Sequence, residues 1–81
     1  MKKFGIYSQR YQRLIVRLIA ARHKAGLSQA EIATKLGVSQ PDVSKIEHGQ
    51  RRIDLLETLD WCTATGYDCS TLLAELEAEN A

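Results

Sequence analysis

The chain has 81 residues, enough for one domain, because a fold of this size buries only about 60% of the surface that its unfolded chain exposes. Its 44% hydrophobic and 26% charged residues are typical of a globular protein and exclude a disordered tail or a fibrous repeat. The longest apolar runs are split by Arg17 and are far shorter than the roughly 20 residues of a membrane span, and no apolar stretch follows Met1 as it would in a signal peptide. We therefore expect a cytoplasmic protein with a single domain over residues 1–81.

The net charge of +1 hides an uneven distribution of charge along the chain. Residues 1–53 hold all eleven Lys and Arg and three acidic residues, a formal charge of +8, whereas residues 54–81 hold seven acidic residues and neither Lys nor Arg, a formal charge of −7. A segment as basic as the first suits a polyanion such as a nucleic acid. The alternative is that each charge only solvates a helix face, and the motifs must decide between the two.

Two helices are predicted first along the chain. Apolar residues recur three and four positions apart between residues 11 and 19, which predicts an amphipathic helix over about residues 8–25, ended by Gly26. Residues 28–31, Ser-Gln-Ala-Glu, match a capping box, in which the serine accepts the third amide of the helix and the glutamate reaches back to the cap amide. A second helix is therefore predicted from Gln29 to about Leu36.

A third helix is predicted directly after the second. Gly37 can take the positive φ that a tight stop requires, and Ser39 can cap a helix over Gln40 to about His48. Pro41 is tolerated in the first turn of that helix, and Asp42 is favourable there because it lies near the positive end of the helix dipole.

Two more helices are predicted in the acidic half of the chain. Asp54 and Glu57 repeat the cap pattern, and a fourth helix that ends at Gly66 would present an apolar stripe of Leu55, Leu56, Leu59 and Trp61. Asp68 caps a fifth helix over about residues 69–79, which carries Leu72, Leu73 and Leu76. Strand alternation is absent from the sequence, so the expected fold is all-α with five helices.

The second and third helices are joined by only residues 37–39, so they must cross steeply, which is the spacing of a helix-turn-helix. The segment 29–49, QAEIATKLGVSQPDVSKIEHG, resembles the lambda repressor and Cro-like family, also called the xenobiotic-response-element (XRE) family. The resemblance covers about residues 10–66 and implies a lambda-repressor-like DNA-binding domain. It depends most on the small, turn and apolar positions Ala33, Gly37, Val38, Val43 and Ile46.

In that family the third helix lies in the major groove of DNA with its first residues on base edges, and the second helix crosses the phosphate backbone. Since Val43 and Ile46 must point inward, the resemblance assigns base reading to the outward residues Gln40, Pro41, Ser44 and Lys45. Glutamine can bond adenine and lysine can bond guanine, whereas the proline offers only apolar contact, for example to a thymine methyl. The target sequence is left open.

The resemblance also assigns contacts to the phosphate backbone. Gln29 opens the second helix, where its side chain and the helix amides can hold a phosphate. Ser39 and the two loop residues Arg51 and Arg52 are assigned the same role, the arginines as charge-assisted donors. A further cationic set shares one face of the first helix and either extends this phosphate track or only solvates that face: Arg10, Arg13, Arg17 and Lys24.

One charged pair has a structural interpretation. The family commonly pairs an arginine at the end of the first helix with a glutamate near the end of the third, and Arg22 and Glu47 match these positions. We expect a partly buried ion pair that fixes the orientation of the third helix.

No other chemistry is predicted from the sequence. His23 and His48 lie at helix ends, and no convergent set of titratable groups suggests an enzyme, so no catalytic residue and no cofactor is assigned. Cys62 and Cys69 are seven residues apart, which fits no common zinc spacing, so no metal site is expected. Both are expected to be thiols in a reducing cytoplasm, with Cys62 in the core.

The expected function is sequence-specific binding of double-stranded DNA by a transcriptional regulator, acting as a repressor at the nucleoid. Because the family usually binds two half-sites about one DNA turn apart, a homodimer through the fourth and fifth helices is expected. The alternative is an antitoxin-like or adaptor protein, whose acidic half binds a protein partner such as a toxin instead of completing the core.

Overall fold

The computed structural model describes residues 8–79, which form five α-helices. These are α1 (Gln9–Lys24), α2 (Gln29–Leu36), α3 (Gln40–Glu47), α4 (Leu55–Thr65) and α5 (Cys69–Ala78). No strand forms in this part of the chain, and the predicted all-α fold of five helices is confirmed. The start of the chain at Met1, which bore on the expectation of a cytoplasmic protein, lies outside the described residues. None of the described helices is long and apolar enough to cross a bilayer.

Each helix begins at a polar residue whose side chain accepts a backbone N–H from the first turn. These caps are local in sequence, which is why the predicted helix bounds agree closely with the observed ones. Three of the five caps are reciprocal capping boxes, at the starts of α2, α3 and α4. The N-caps are Ser8, Ser28, Ser39, Asp54 and Asp68.

The core lies between the first four helices: α2 packs on α3 and α4, α1 packs on the same two helices, and α5 packs on α1 and α4. Trp61 of α4 is completely buried at its centre, and its indole N–H donates to the carbonyl of Leu18 in α1 at 2.9 Å. This bond satisfies the one polar group of the indole and fixes α4 against α1. The buried apolar residues are Ile15, Leu18, Ile32, Ala33, Val43, Ile46, Ile53, Trp61, Cys62 and Leu72.

The predicted apolar stripe of α4 is wrong for three of its four members. Leu55, Leu56 and Leu59 are 67%, 70% and 39% exposed, and only Trp61 of the stripe is buried. The helix turns its other side to the core, through Trp61, Cys62 and Thr58, whose hydroxyl donates to the carbonyl of Asp54 at 2.8 Å. Ile53, just before the helix, is buried, and together with the centrally placed indole it sets a rotation of α4 that leaves the three leucines outside. We call Leu55, Leu56 and Leu59 the leucine patch.

The fifth helix completes the core. Leu72 is fully buried and Leu76 packs against the core at partial exposure, whereas Leu73 is 54% exposed. The idea that these leucines could dock a partner instead of completing the core is therefore contradicted for Leu72. Through the buried Leu72, the acidic helix α5 is held against the core that the basic part of the chain forms.

Candidate nucleic-acid interface

The turn between α2 and α3 fixes how the two helices cross. Gly37 is left-handed, with a φ of 73°, and the N–H of Val38 donates to the carbonyl of Ala33 at 3.0 Å, which closes the end of α2. Ser39 then starts α3: its hydroxyl accepts the N–H of Asp42 at 3.1 Å, and its own N–H donates to the Asp42 carboxylate at 3.2 Å. The second of these bonds is the main reason that the pKa of Asp42 lies below its ordinary value. Because the cap uses these groups, a phosphate contact by Ser39 would have to use its hydroxyl proton.

The third helix presents a polar face to solvent. Val43 and Ile46 are completely buried, while Gln40, Pro41 and Lys45 are exposed. Ser44 is half-buried on the same side, and the exposed His48 caps the end of the helix, its Nδ1 2.7 Å from the Ser44 carbonyl oxygen. The four residues assigned to base reading thus lie on the part of α3 that the core does not cover, and their role in DNA binding stays a prediction.

A chain of hydrogen bonds connects the start of α3 to the start of α2. The amide of Gln40 donates from Nε2 to Oε1 of Gln29 at 2.8 Å, and Nε2 of Gln29 donates to Oε1 of Glu47 at 2.8 Å. Since Gln29 accepts at one end of its amide and donates at the other, its orientation is fixed. The second N–H of the Gln29 amide is still able to bind a phosphate. Gln40 is held in place at the exposed end of this chain of hydrogen bonds.

This chain of hydrogen bonds ends in a buried ion pair. Nε of Arg22 lies 2.6 Å from Oε2 of Glu47 and Nη2 lies 3.0 Å from Oε1, a bidentate contact between side chains that are only 10% and 6% exposed. Arg22 also donates to the carbonyl of Leu27 at 2.9 Å, in the loop between α1 and α2. The structure thus brings together the two residues expected to pair, and the pair links α1, the α1–α2 loop and α3.

Arg51 is tied to neighbouring acids. Its guanidinium donates to both carboxylate oxygens of Glu57 at 3.0 and 2.9 Å, and its Nε lies 3.9 Å from Asp42. This contact holds the pKa of Glu57 below its ordinary value. Arg51 therefore links the start of α4 to the start of α3, and its charge is partly neutralised by two acids that the sequence interpretation placed only in the first turns of their helices. A phosphate contact by Arg51 would have to compete with these acids.

Arg52, the next residue of the same loop, lies near an aromatic ring. Its guanidinium carbon is 5.1 Å from the centre of the Tyr11 ring, within the range of a cation–π contact. The sequence interpretation placed Tyr11 only in the apolar stripe of the first helix. Nothing in local spacing indicates this contact, because the two residues come from elements far apart in sequence.

Two residues of the cationic face of α1 contact acids of α5. Arg10 donates to Glu77 at 3.2 Å, and Arg17 donates to Glu75 at 3.1 Å and makes a bidentate contact with Glu79. Neither sequence alternative for these residues, a phosphate track or a solvated face, included this pairing of Arg10 and Arg17 with α5. The acids of α5 offset charges within the chain, so the uneven charge of the sequence is partly neutralised in the fold. Arg13 and Lys24, of the same predicted face, are exposed.

Few reactive or metal-binding groups occur in the part of the chain that the structure describes. Cys62 is buried and Cys69 is half-buried, neither in a disulfide. Burial raises the pKa of the Cys62 thiol to about 11, and the neighbouring Cys69 adds to this, so at neutral pH the group is an unreactive thiol. No cluster of His, Cys, Asp and Glu suited to a metal ion occurs among residues 8–79.

The comparisons with known proteins point in the same direction as this geometry. Residues 18–72 match the family model HTH_3, described as helix-turn-helix. A solved structure, described as an XRE-family like protein from Pseudomonas syringae pv. tomato str. DC3000, is similar to this chain with a TM-score of 0.82 and 44% sequence identity, over 89% of this chain and 88% of that one. No curated protein matches the chain significantly.

Proposed function

This chain belongs to the helix-turn-helix family and is a DNA-binding regulator of transcription, and from that premise we propose that it binds a specific double-stranded sequence as a homodimer and represses transcription. We further propose that it acts in the cytoplasm, at the nucleoid. The resemblance to the lambda repressor and XRE family, inferred above from residues 29–49, is confirmed.

The observation that carries the proposal is the exposed polar face of α3 on a rigidly anchored helix. Val43 and Ile46 fix the inner side of the helix in the core, so the outer side has a defined rotation and position. Gln40 and Lys45 then supply donors and acceptors that match adenine and guanine edges in the major groove. Ser44 adds a hydroxyl, and Pro41 adds an apolar contact for a thymine methyl.

The phosphate contacts that we propose surround this face. Gln29 lies at the start of α2, where the amides of the first turn and the helix dipole favour an anion. Ser39, Arg51 and Arg52 lie at the start of α3 and in the loop after it. A phosphate that binds Arg51 has to displace Glu57 from the donors of its guanidinium.

The leucine patch supports the dimer. Exposed apolar clusters on a small protein mark interaction surfaces, and these three leucines lie at the start of α4, directly after the loop that holds Arg51 and Arg52. A two-fold dimer brings the same patch of both copies together. A dimer formed beside this loop would place the α3 helix of each copy on the same side of the DNA, so that half-sites one turn apart can be read together.

Repression follows from occupancy in this proposal, since a dimer seated in two successive major grooves obstructs polymerase. The alternative function, a protein that binds a partner through its acidic half, has weaker support. Leu72 completes the core, and the α5 acids Glu75, Glu77 and Glu79 contact arginines of the same chain.

The test is selection from a pool of random duplex DNA by the purified protein at about 150 mM salt, with sequencing of the retained fraction. A palindrome with half-sites about ten base pairs apart is expected. The variant Gln40→Ala/Lys45→Ala changes two exposed side chains and should lose the enriched motif, while Arg10→Ala, which removes one charge that is paired with Glu77, should retain it.

Two outcomes contradict parts of the proposal. An enriched single half-site would refute the dimer while leaving sequence-specific binding intact. If no motif is enriched and retention disappears as salt is added, the basic surface binds only as a polyelectrolyte and specific recognition is refuted.

A further inference from the structure

Two cysteines meet at the corner between α4 and α5. Cys62 belongs to the last turn of α4 and is only 3% exposed, whereas Cys69 is the first residue of α5 and lies half-buried against the same core. The two side chains are within hydrogen-bonding distance of each other, and neither is in a disulfide. One accessible thiol therefore lies directly beside one that the core encloses.

The backbone of the corner holds the two cysteines in this arrangement. Gly66 ends α4 in the left-handed conformation, with a φ of 73°, and the N–H of Tyr67 donates to the carbonyl of Cys62 at 3.0 Å. Asp68 then caps α5, since its carboxylate accepts a backbone N–H of the first turn at 2.9 Å. A bond between the two sulfurs would therefore close a short loop whose ends the fold already holds together.

The two thiols differ in how a reagent in solution can reach them. Burial raises the pKa of the Cys62 thiol to about 11, and the neighbouring Cys69 adds to this, so Cys62 is unreactive toward a reagent in solution. Cys69 is partly exposed at the start of α5, and an external reagent meets this thiol first. The arrangement thus sets an order in which the two sulfurs react.

We propose that Cys62 and Cys69 are a modification site, at which a small-molecule disulfide is exchanged for a reversible disulfide bond between α4 and α5. Cys69 loses its proton to water and its sulfur attacks one sulfur of the reagent, so that a mixed disulfide forms and one reagent thiolate leaves. Cys62 then loses its proton to water and attacks the Sγ of Cys69, and the second reagent thiolate leaves. Two cysteines are oxidised, and one reagent disulfide is reduced to two thiols.

The second step is the one that the fold promotes. Only a small fraction of Cys62 is ionised at neutral pH, but its sulfur already lies beside the sulfur that it attacks, and such proximity favours an intramolecular reaction. The product fastens the start of α5 to α4. An excess of a small-molecule thiol reverses the exchange and restores both cysteines.

The test treats the folded full chain with dithiobis(nitrobenzoate), an aromatic disulfide that releases a coloured thiolate. The parent should release two equivalents of the colour per chain, and its final mass should be that of the untreated chain less two hydrogen atoms. Cys62→Ala should release one equivalent and retain the reagent as a stable mixed disulfide. Cys69→Ala should release almost none until urea unfolds it, because its remaining thiol is buried.

Three results would overturn the inference. A parent that releases one equivalent and keeps the reagent would show that the two sulfurs do not meet. A covalent dimer on a non-reducing gel would show that Cys69 reacts with a second copy instead. Rapid reaction of folded Cys69→Ala would show that Cys62 reacts without its neighbour, and this half-buried substitution keeps the inference falsifiable if Cys62→Ala, which changes the core, does not fold.

A second measurement asks whether the bond fits the native fold. The parent oxidised with glutathione disulfide should lose the same two hydrogen atoms and should regain them with dithiothreitol. It should also unfold at a higher urea concentration than the reduced parent, because the cross-link restricts the unfolded chain. A lower urea midpoint would show that the bond distorts the corner between α4 and α5, and would overturn the inference. None of these readouts depends on DNA binding.

Discussion

Removing the negative charge from the buried ion pair should cost this small domain a large part of its stability. Glu47→Gln keeps the size of the side chain but replaces one carboxylate oxygen with a donor group, opposite a guanidinium that is itself 10% exposed. It breaks a bidentate contact of 2.6 and 3.0 Å and leaves Arg22 with the carbonyl of Leu27 as its remaining backbone acceptor. Breaking one partner of a buried pair costs about 3 to 5 kcal/mol, and we expect about 3 because the amide still accepts one bond.

This loss is large relative to the whole free energy of unfolding, which for a chain of this length is of the order of 4 to 12 kcal/mol. Thermal unfolding should therefore shift down by roughly 12 to 24 °C, at about 4 to 8 °C for each kcal/mol. Urea titration of the parent and the variant measures the change, with helix content followed by circular dichroism. Fluorescence of Trp61, which is completely buried, reports the core independently.

Two controls make the result specific to burial. Glu77→Gln removes the same charge from the exposed pair with Arg10, whose side chains are 45% and 78% exposed, and it should change stability by less than about 0.5 kcal/mol. The double variant Arg22→Met/Glu47→Leu removes both charges and should be less destabilised than Glu47→Gln. A loss below about 1 kcal/mol for Glu47→Gln, or a double variant that is destabilised at least as much as Glu47→Gln, would refute the reasoning.

Three further outcomes are expected. Lys45→Ala should lose about 1 to 3 kcal/mol of binding free energy on the selected site and relax discrimination at one base pair in a competition assay; equal loss on every sequence would make Lys45 a phosphate contact. Leu56→Lys should convert the dimer to a monomer in sedimentation without unfolding it, since this leucine is 70% exposed, and an unchanged mass would remove the leucine patch from the interface. Contact with Arg51 lowers the pKa of Glu57 in the folded state, so the contribution of Glu57 to stability is present above the ordinary carboxyl pKa of about 4 and is lost as pH falls through the folded value. The stability of Glu57→Gln should therefore depend less steeply on pH below about 5 than that of the parent. Parallel curves of stability against pH would show that this pair does not contribute.

The distribution of charge along the sequence and the ion pairs in the fold lead to different conclusions about the basic surface. From the sequence, the basic part of the chain suits a polyanion, with charges that only solvate helix faces as the alternative. In the fold, Arg10 and Arg17 are paired with α5, Arg22 is paired inside the core and Arg51 is paired with Glu57. The basic surface that faces DNA in our proposal is therefore smaller than the sequence suggests, and it includes Lys45 on the exposed side of α3.

The sequence by itself determined the helices, their limits and the helix-turn-helix, because these depend on local chemistry. A serine or aspartate that caps a first turn, and a glycine such as Gly37 that takes a positive φ after the last turn, act within four residues of their own position. The inward direction of Val43 and Ile46 follows from the same short-range periodicity, and with it the outward face of α3. Only the tertiary structure decided the rotation of α4 and the partners of the charged residues. The rotation depends on where the Trp61 indole meets the carbonyl of Leu18, and that contact is made by another helix far away in the chain.

The long-range pairs have the same cause. Tyr11 meets Arg52 and Ile53, and Arg17 meets Glu79, only after the helices have packed. No spacing in the sequence encodes such a meeting, because a salt bridge or a ring contact is permitted by many arrangements of five helices and is selected by the one that buries the core. The local rules thus defined the helices and the exposed face of α3, while the packing of α1 against α4 and α5 decided which charged side chains are paired within the chain.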